Sequence, residues 1–243
     1  MGWTVPTDNV LHYDDVAPQL QTGDLALFHG NSWISRGIQR ATRSRYSHIG
    51  MVVRYSDIVN VGDGPLLAAR HDEVYFFESM LARQSLPDML DPVWDEKRHA
   101  HETHSGVQLV SLRDAFCTYD SQKLGTFSVR RLQVPNREQL DFAALRDLMD
   151  TIDKKPYPKG AVVVAHWIEG KLGIPAAFND FFCAELVALC YEALGLLTLD
   201  MRRNPANKYT PGEFSSGREM ELHLGAELDA ERVITVDECH KSS

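Results

Sequence analysis

A chain of 243 residues with 44% hydrophobic and 24% charged content is long enough to bury a substantial core, and its composition is that of a soluble globular protein. Its net charge of −9 argues against nucleic acid as the main partner, and no apolar stretch approaches the length of a membrane span. The cysteines at 117, 183, 190 and 239 form no CxxC pair, so neither a zinc ribbon nor a thioredoxin-like site is indicated. Free thiols in a reducing, cytoplasmic compartment are expected.

The N-terminus has no basic segment and no apolar run, so it does not read as a secretory signal. Gly2 invites myristoylation, but Pro6 stands where that signal needs Ser or Thr. Residues 1–20 are polar and mixed, an arm or a short lead-in helix. Gln21-Thr22-Gly23-Asp24 is a turn, and Leu25 to His29 reads as a buried strand. From Ser32, Ile34, Ile38 and Ala41 repeat at helical spacing, with Ser32 as a cap. The other face of this helix carries Arg36, Arg40, Arg43 and Arg45, a basic cluster on an acidic chain. A solvated face is the simple reading. Peripheral contact with an anionic membrane through Arg36, Arg40 and Arg43 is the functional one.

Tyr46 to Arg54 forms a strand with His48 at its start. Val74 to Ser79 forms another, whose alternation puts Val74, Phe76 and Glu78 on one face and Tyr75, Phe77 and Ser79 on the other. Residues 80–106 are irregular, and strands follow at Val107 to Leu112 and Phe127 to Val134. Asn136 caps a helix to about Asp150, with Leu140, Ala144 and Leu148 spaced by four. Asp153 to Gly160 is a rigid loop, and Ala161 to Leu172 reads as a helix. In the next helix Cys183, Leu186, Val187, Cys190 and Leu194 share a face, Asn179 or Asp180 caps the start, and Gly195 stops it. Val233 to Val236 is a last strand. Strands gather in the first part and helices in the second, so the class is α+β. One domain over residues 1–243 is expected, with residues 80–125 as an inserted elaboration.

Cys183 falls in the first turn of its helix, where backbone N–H groups lack an internal partner and the dipole favours negative charge. A thiol there ionises readily, and the thiolate is the nucleophile. Taken alone, Cys183 is more simply a small core residue. A cysteine hydrolase also needs an imidazole within hydrogen-bond reach and a third group to orient it. His48 and Glu78, on two strands, supply both types.

The order His, Glu, Cys reverses that of papain. Together with Thr22-Gly23-Asp24-Leu25, Ile34-Ser35-Arg36, Ile38-Gln39, Ser47-His48-Ile49-Gly50-Met51-Val52 and Phe182-Cys183-Ala184-Glu185-Leu186-Val187, it resembles the circularly permuted, NlpC-type papain-like cysteine hydrolases (YiiX/YebB-like). The resemblance spans roughly residues 20–80 and 125–215. It implies a permuted papain-like (NlpC-type) fold, with an antiparallel sheet against the nucleophile helix. It also implies Cys183 as nucleophile, His48 as base and Glu78 as the third group. Tyr157, in a Pro-Tyr-Pro loop, resembles a tyrosine bordering the site in this group, and its hydroxyl could help the Cys183 N–H hold an oxyanion. Ala184 departs from the serine often found there.

Asp24 is read as structural, Glu185 as a buried hydrogen-bonding partner and Ser47 as a strand-edge serine. His99, His101 and His104, with Glu96 and Glu102, lack regular ligand spacing and read as a solvent-facing loop, so no metal and no cofactor are expected. The expected chemistry is hydrolysis or acyl transfer through a thioester, on an amide or ester of a small-molecule, lipid-like or peptide substrate. Trp33, Phe76, Phe178, Phe181 and Phe182 near the motifs lean towards an apolar acyl group. Peptide or peptidoglycan cleavage is the alternative within the same chemistry, and a non-catalytic lipid- or peptide-binding module the alternative outside it.

Overall fold

The computed structural model describes residues 10–31, 33–58, 74–80, 86–90, 94–95, 100–101, 106–121, 125–152, 183–200, 202–236 and 239. Its centre is a seven-stranded sheet in the order β1-β11-β8-β2-β3-β4-β7. The strands are β1 (Val10–His12), β2 (Leu25–Gly30), β3 (His48–Arg54), β4 (Val74–Met80), β7 (Gly106–Ser111), β8 (Gly125–Arg130) and β11 (Arg232–Thr235). Every pairing is antiparallel except β1 with β11. Two short pairs, β5 (Trp94–Asp95) with β6 (Ala100–His101) and β9 (Leu132–Gln133) with β10 (Glu227–Leu228), lie outside it. Mixed helix and strand around one large sheet is the α+β class.

Side-chain alternation splits the core into two layers. Leu25, Leu27, Ile49, Met51, Val53, Tyr75, Phe77 and Leu109 face α4 (Phe142–Ile152) and α5 (Cys183–Ala193). Ala26, Phe28, Val52, Val74, Phe76 and Val110 face α3 (Leu112–Ser121), with Tyr13 and Val16 of α1 (Tyr13–Val16) joining that layer. The split on β4 follows the expected alternation. The near-continuous apolar strands β2, β3 and β4 are those of a sheet covered on both faces. Cys183 through Tyr191 are all buried, as a helix apolar on every side must be. It ends at Gly195, whose φ of +77° lets the amide of Leu196 turn back to the Tyr191 carbonyl at 2.7 Å.

The Gly23-Asp24 turn fastens this helix to the sheet. The Tyr191 hydroxyl donates to the Gly23 carbonyl at 2.7 Å. Asp24 is fully buried; its carboxylate accepts from Gln21 N at 2.9 Å and Leu132 N at 2.8 Å and lies 3.6 Å from Arg131. Its carbonyl takes the Val52 amide at 2.7 Å. The structural reading of Asp24 therefore holds.

Several expectations are corrected. Cys117, on α3, is disulfide-bonded to Cys239, with Cα atoms 5.3 Å apart, while Cys183 and Cys190 are free. The partners are 122 residues apart in sequence and meet only through the fold, so spacing could not reveal them. The reducing-compartment expectation rested on four free thiols and loses that ground. Asn136 caps only a single 3₁₀ turn, Arg137–Gln139. Helix α4 starts afresh where Asp141 accepts the Ala144 amide at 2.9 Å, and it buries Leu145, Met149 and Ile152. Arg45 turns away from the basic helix face: its guanidinium donates to the Tyr46 hydroxyl at 2.6 Å and lies 3.6 Å from Glu231. Within the 80–125 segment, β7 extends the main sheet and α3 covers one of its faces. Among the described residues, no helix is long and apolar enough to cross a membrane.

Candidate functional site

Three sequence-selected side chains meet at one end of the sheet. His48 is the first residue of β3, Glu78 lies near the end of β4 and Cys183 is the first residue of α5. His48 shares its face with Phe28 and Phe76, the α3 side, whereas Cys183 comes from the helix on the opposite side. Thiol and ring can meet because each opens its element, where the sheet ends and the two layers join.

His48 Nε2 is 2.5 Å from Glu78 Oε2. The thiol of Cys183 is the ring's other hydrogen-bond partner, and with Nε2 given to the carboxylate, Nδ1 is the nitrogen left for sulfur. Glu78 is fully buried, and its second oxygen accepts from Gln108 Nε2 at 2.9 Å. Gln108 and Glu78 are directly paired across β4 and β7. A buried carboxylate needs such partners, because an unpaired one is costly to desolvate.

Aromatic rings hold the imidazole. Phe28 lies 5.5 Å away, Phe76 stands edge-on at 6.1 Å, and Tyr119 of α3 is nearly parallel at 6.4 Å. Gly50 makes the Phe76 placement possible, since a Cβ there would come within 2.5 Å of the Phe76 ring. The His48 side chain keeps 12% of its surface exposed and Cys183 keeps 5%, so the pair is shielded yet still reached by solvent.

Burial by itself lowers the imidazole's pKa. Hydrogen bonds to Cys183 and Glu78, with the negative charge on both, outweigh burial and raise it from 6.5 to about 10. Because the folded value lies above the free one, the pair's contribution to stability is complete below pH 6.5 and is lost as pH rises through about 10. The ring facing the sulfur is thus an imidazolium at neutral pH. Cys190, one helical layer further in, has its thiol pushed well up by burial alone.

Glu185 is buried, as expected. Ser47 is tied into the β2 end, where its Oγ takes the Gly30 amide at 3.1 Å, and is not at the ring. Tyr157, the Asn179 and Asp180 caps, Phe178, Phe181, Phe182, His99, His104 and the expected helix over 161–172 lie outside the described residues. Among the described residues no group of three or more His, Cys, Asp and Glu is placed to hold a metal ion. Sequence reasoning missed Gln108 and Tyr119. A lone glutamine inside Val107-Gln108-Leu109-Val110 was a usable signal, since a buried amide must answer some other polar group. Tyr119 offered none.

No protein-family model matches the chain, and no curated protein does. A solved structure to which it is similar is that of the metalloprotein YiiX (DUF1105) from Escherichia coli O157:H7, at 21% identity over 72% of this chain and 67% of that one, with a TM-score of 0.41.

Proposed function

We propose that the protein is a cysteine hydrolase or acyltransferase of the permuted papain-like kind, working through a thioester on Cys183. The observation that carries the reading is the line Cys183–His48–Glu78–Gln108, with His48 bonded to the thiol on one side and to a buried carboxylate 2.5 Å away on the other. Structural burial explains a cysteine in a core. It does not explain why an imidazole and a carboxylate should be desolvated beside it.

The steps follow from the geometry. His48 Nδ1 holds the proton of the pair, and Cys183 Sγ attacks the carbonyl carbon of an amide or ester. The carbonyl π electrons move to oxygen, and the first-turn N–H groups of α5, which have no acceptor within the helix, are placed to stabilise that oxyanion. Collapse breaks the bond to the leaving amine or alcohol, which takes the proton from Nδ1 and leaves a thioester. Water, or an acceptor alcohol or amine, then gives its proton to His48 and attacks the thioester carbon; the sulfur departs and the pair is restored with the proton on Nδ1. Glu78 keeps the ring oriented and stabilises its charge, and Gln108 holds Glu78 in turn.

Incubating the protein with a panel of acyl esters and acyl amides, then digesting at acidic pH, tests this. Mass spectrometry is expected to find an acyl group on the peptide containing Cys183, released by hydroxylamine. An acyl adduct elsewhere, or turnover of the same substrates by Cys183→Ser at the native rate, would count against the thioester route.

A further inference from the structure

Helix α2 (Trp33–Thr42) presents an arc for which the catalytic site has no use. At 3.6 residues per turn, Trp33, Arg36, Gly37 and Arg40 fall within about 100° of one another. All four are exposed, Trp33 at 82%. Ser35, Ile38, Gln39 and Thr42 occupy the opposite side and are half-buried, and Gln39 donates to the Gly30 carbonyl at 3.0 Å. The helix is therefore fixed in rotation, with its indole and two guanidinium groups outward. Arg43 continues the exposed set just beyond the helix, in a left-handed conformation with φ +52°.

Charge and apolar area together choose the partner. The chain is acidic, yet no Asp or Glu occurs between Asp24 and Asp57, while Arg36, Arg40, Arg43, Arg45 and Arg54 do. Arginines four apart on one helix face repel each other, a cost an anionic surface removes. A protein interface would need a buried apolar centre around the tryptophan. Among the described residues the exposed large hydrophobics are Val10 and Trp33, so the described side chains of α2 offer one indole beside cations and no such centre. That pattern suits the lipid headgroup layer, where an indole lodges at the interface and arginines meet phosphates.

We infer that α2 is a docking helix for anionic membrane surfaces, with Trp33 inserted at the headgroup level and Arg36, Arg40 and Arg43 against lipid phosphates. β2 ends at Gly30, and Phe28 on it pairs with His48, so α2 borders the sheet end that carries Cys183 and His48. If the catalytic reading holds, docking would deliver a membrane-resident acyl substrate to that end; the docking itself does not depend on it.

The test is co-sedimentation of the full chain with phosphatidylcholine vesicles, with and without phosphatidylserine, at low and high salt. Binding is expected only with the anionic lipid, and to fade with salt. Arg36→Ala and Arg40→Ala should each weaken it about fivefold and the pair together about 30-fold. Trp33→Ala should weaken it as well, with far-UV circular dichroism unchanged in all variants. No binding to anionic vesicles at low salt, or binding that these substitutions leave intact, overturns the inference. So does equal retention on an immobilised acidic polypeptide that is indifferent to Trp33→Ala, which would assign the arc to an acidic protein instead.

Discussion

Replacing Cys183 by serine is expected to lower turnover of any acyl substrate by about 10⁴-fold or more, because the proposed nucleophile, base and orienter would work as one unit. The serine hydroxyl fits the 5%-exposed position, so the fold should persist, with a thermal midpoint within a few degrees of the parent. His48→Gln should cost a comparable factor. It removes the group that holds the proton beside the sulfur and hands it to the leaving group. The telling arm is the double variant, expected to be no slower than the slower single one, whereas independent roles would multiply. A kcat assay across the three proteins, with circular dichroism as the fold control, decides it. The ring also sets a pH limit: with its proton held to about pH 10, catalysis that needs an imidazolium should fail only as pH passes that value.

The largest expected stability effect lies away from the chemistry. Asp24→Ala removes the acceptor of the Gln21 and Leu132 amides and leaves Arg131 without its carboxylate, in a fully buried turn. A loss of about 3–5 kcal/mol is expected, as when one partner of a buried ionic network is deleted. Asp24→Asn keeps one of the two acceptor oxygens but turns an NH2 donor towards the other amide, so it should recover only part of that. The sign with pH follows from burial, which raises the Asp24 pKa against the pull of the Leu132 and Gln21 amides and the charges of Arg131 and Arg137. A carboxyl whose folded pKa is raised binds its proton more readily folded than unfolded. Asp24 therefore opposes acid unfolding as pH falls through its folded value. Urea unfolding of the three proteins at neutral and mildly acidic pH measures both effects.

The contrast between these sites shows what a sequence carries. Strands β2, β3 and β4 were legible because each is a run of apolar residues bounded by turn residues, and Gly23-Asp24 marked the first of them. The site was legible because Cys183 opens a helical period while His48 and Glu78 interrupt apolar strands with groups that need partners. Helix α3 was not. Its Leu112, Ala115, Phe116 and Tyr119 do sit at helical spacing, and Ser111 caps the start by accepting the Asp114 amide at 3.3 Å, but Ser111 is also the last residue of β7, so the strand runs into the helix without a break. Missing α3 hid the Tyr119 ring beside His48 and the Cys117 bridge to Cys239, both of which depend on contacts across more than 30 residues. Asn136 misled in another way. It caps a turn as such residues do, but the chain uses the next cap, Asp141, to start the helix.

Nuclear magnetic resonance titration of the His48 ring tells whether it shares a proton with Cys183 while anchored to Glu78. In the native protein the ring is expected to stay protonated through neutral pH, with a midpoint near 10, and Cys183→Ala should bring that midpoint down. A ring that loses its proton near the ordinary 6.5, unmoved by removing the sulfur, would mean that Cys183 and His48 do not act as a pair.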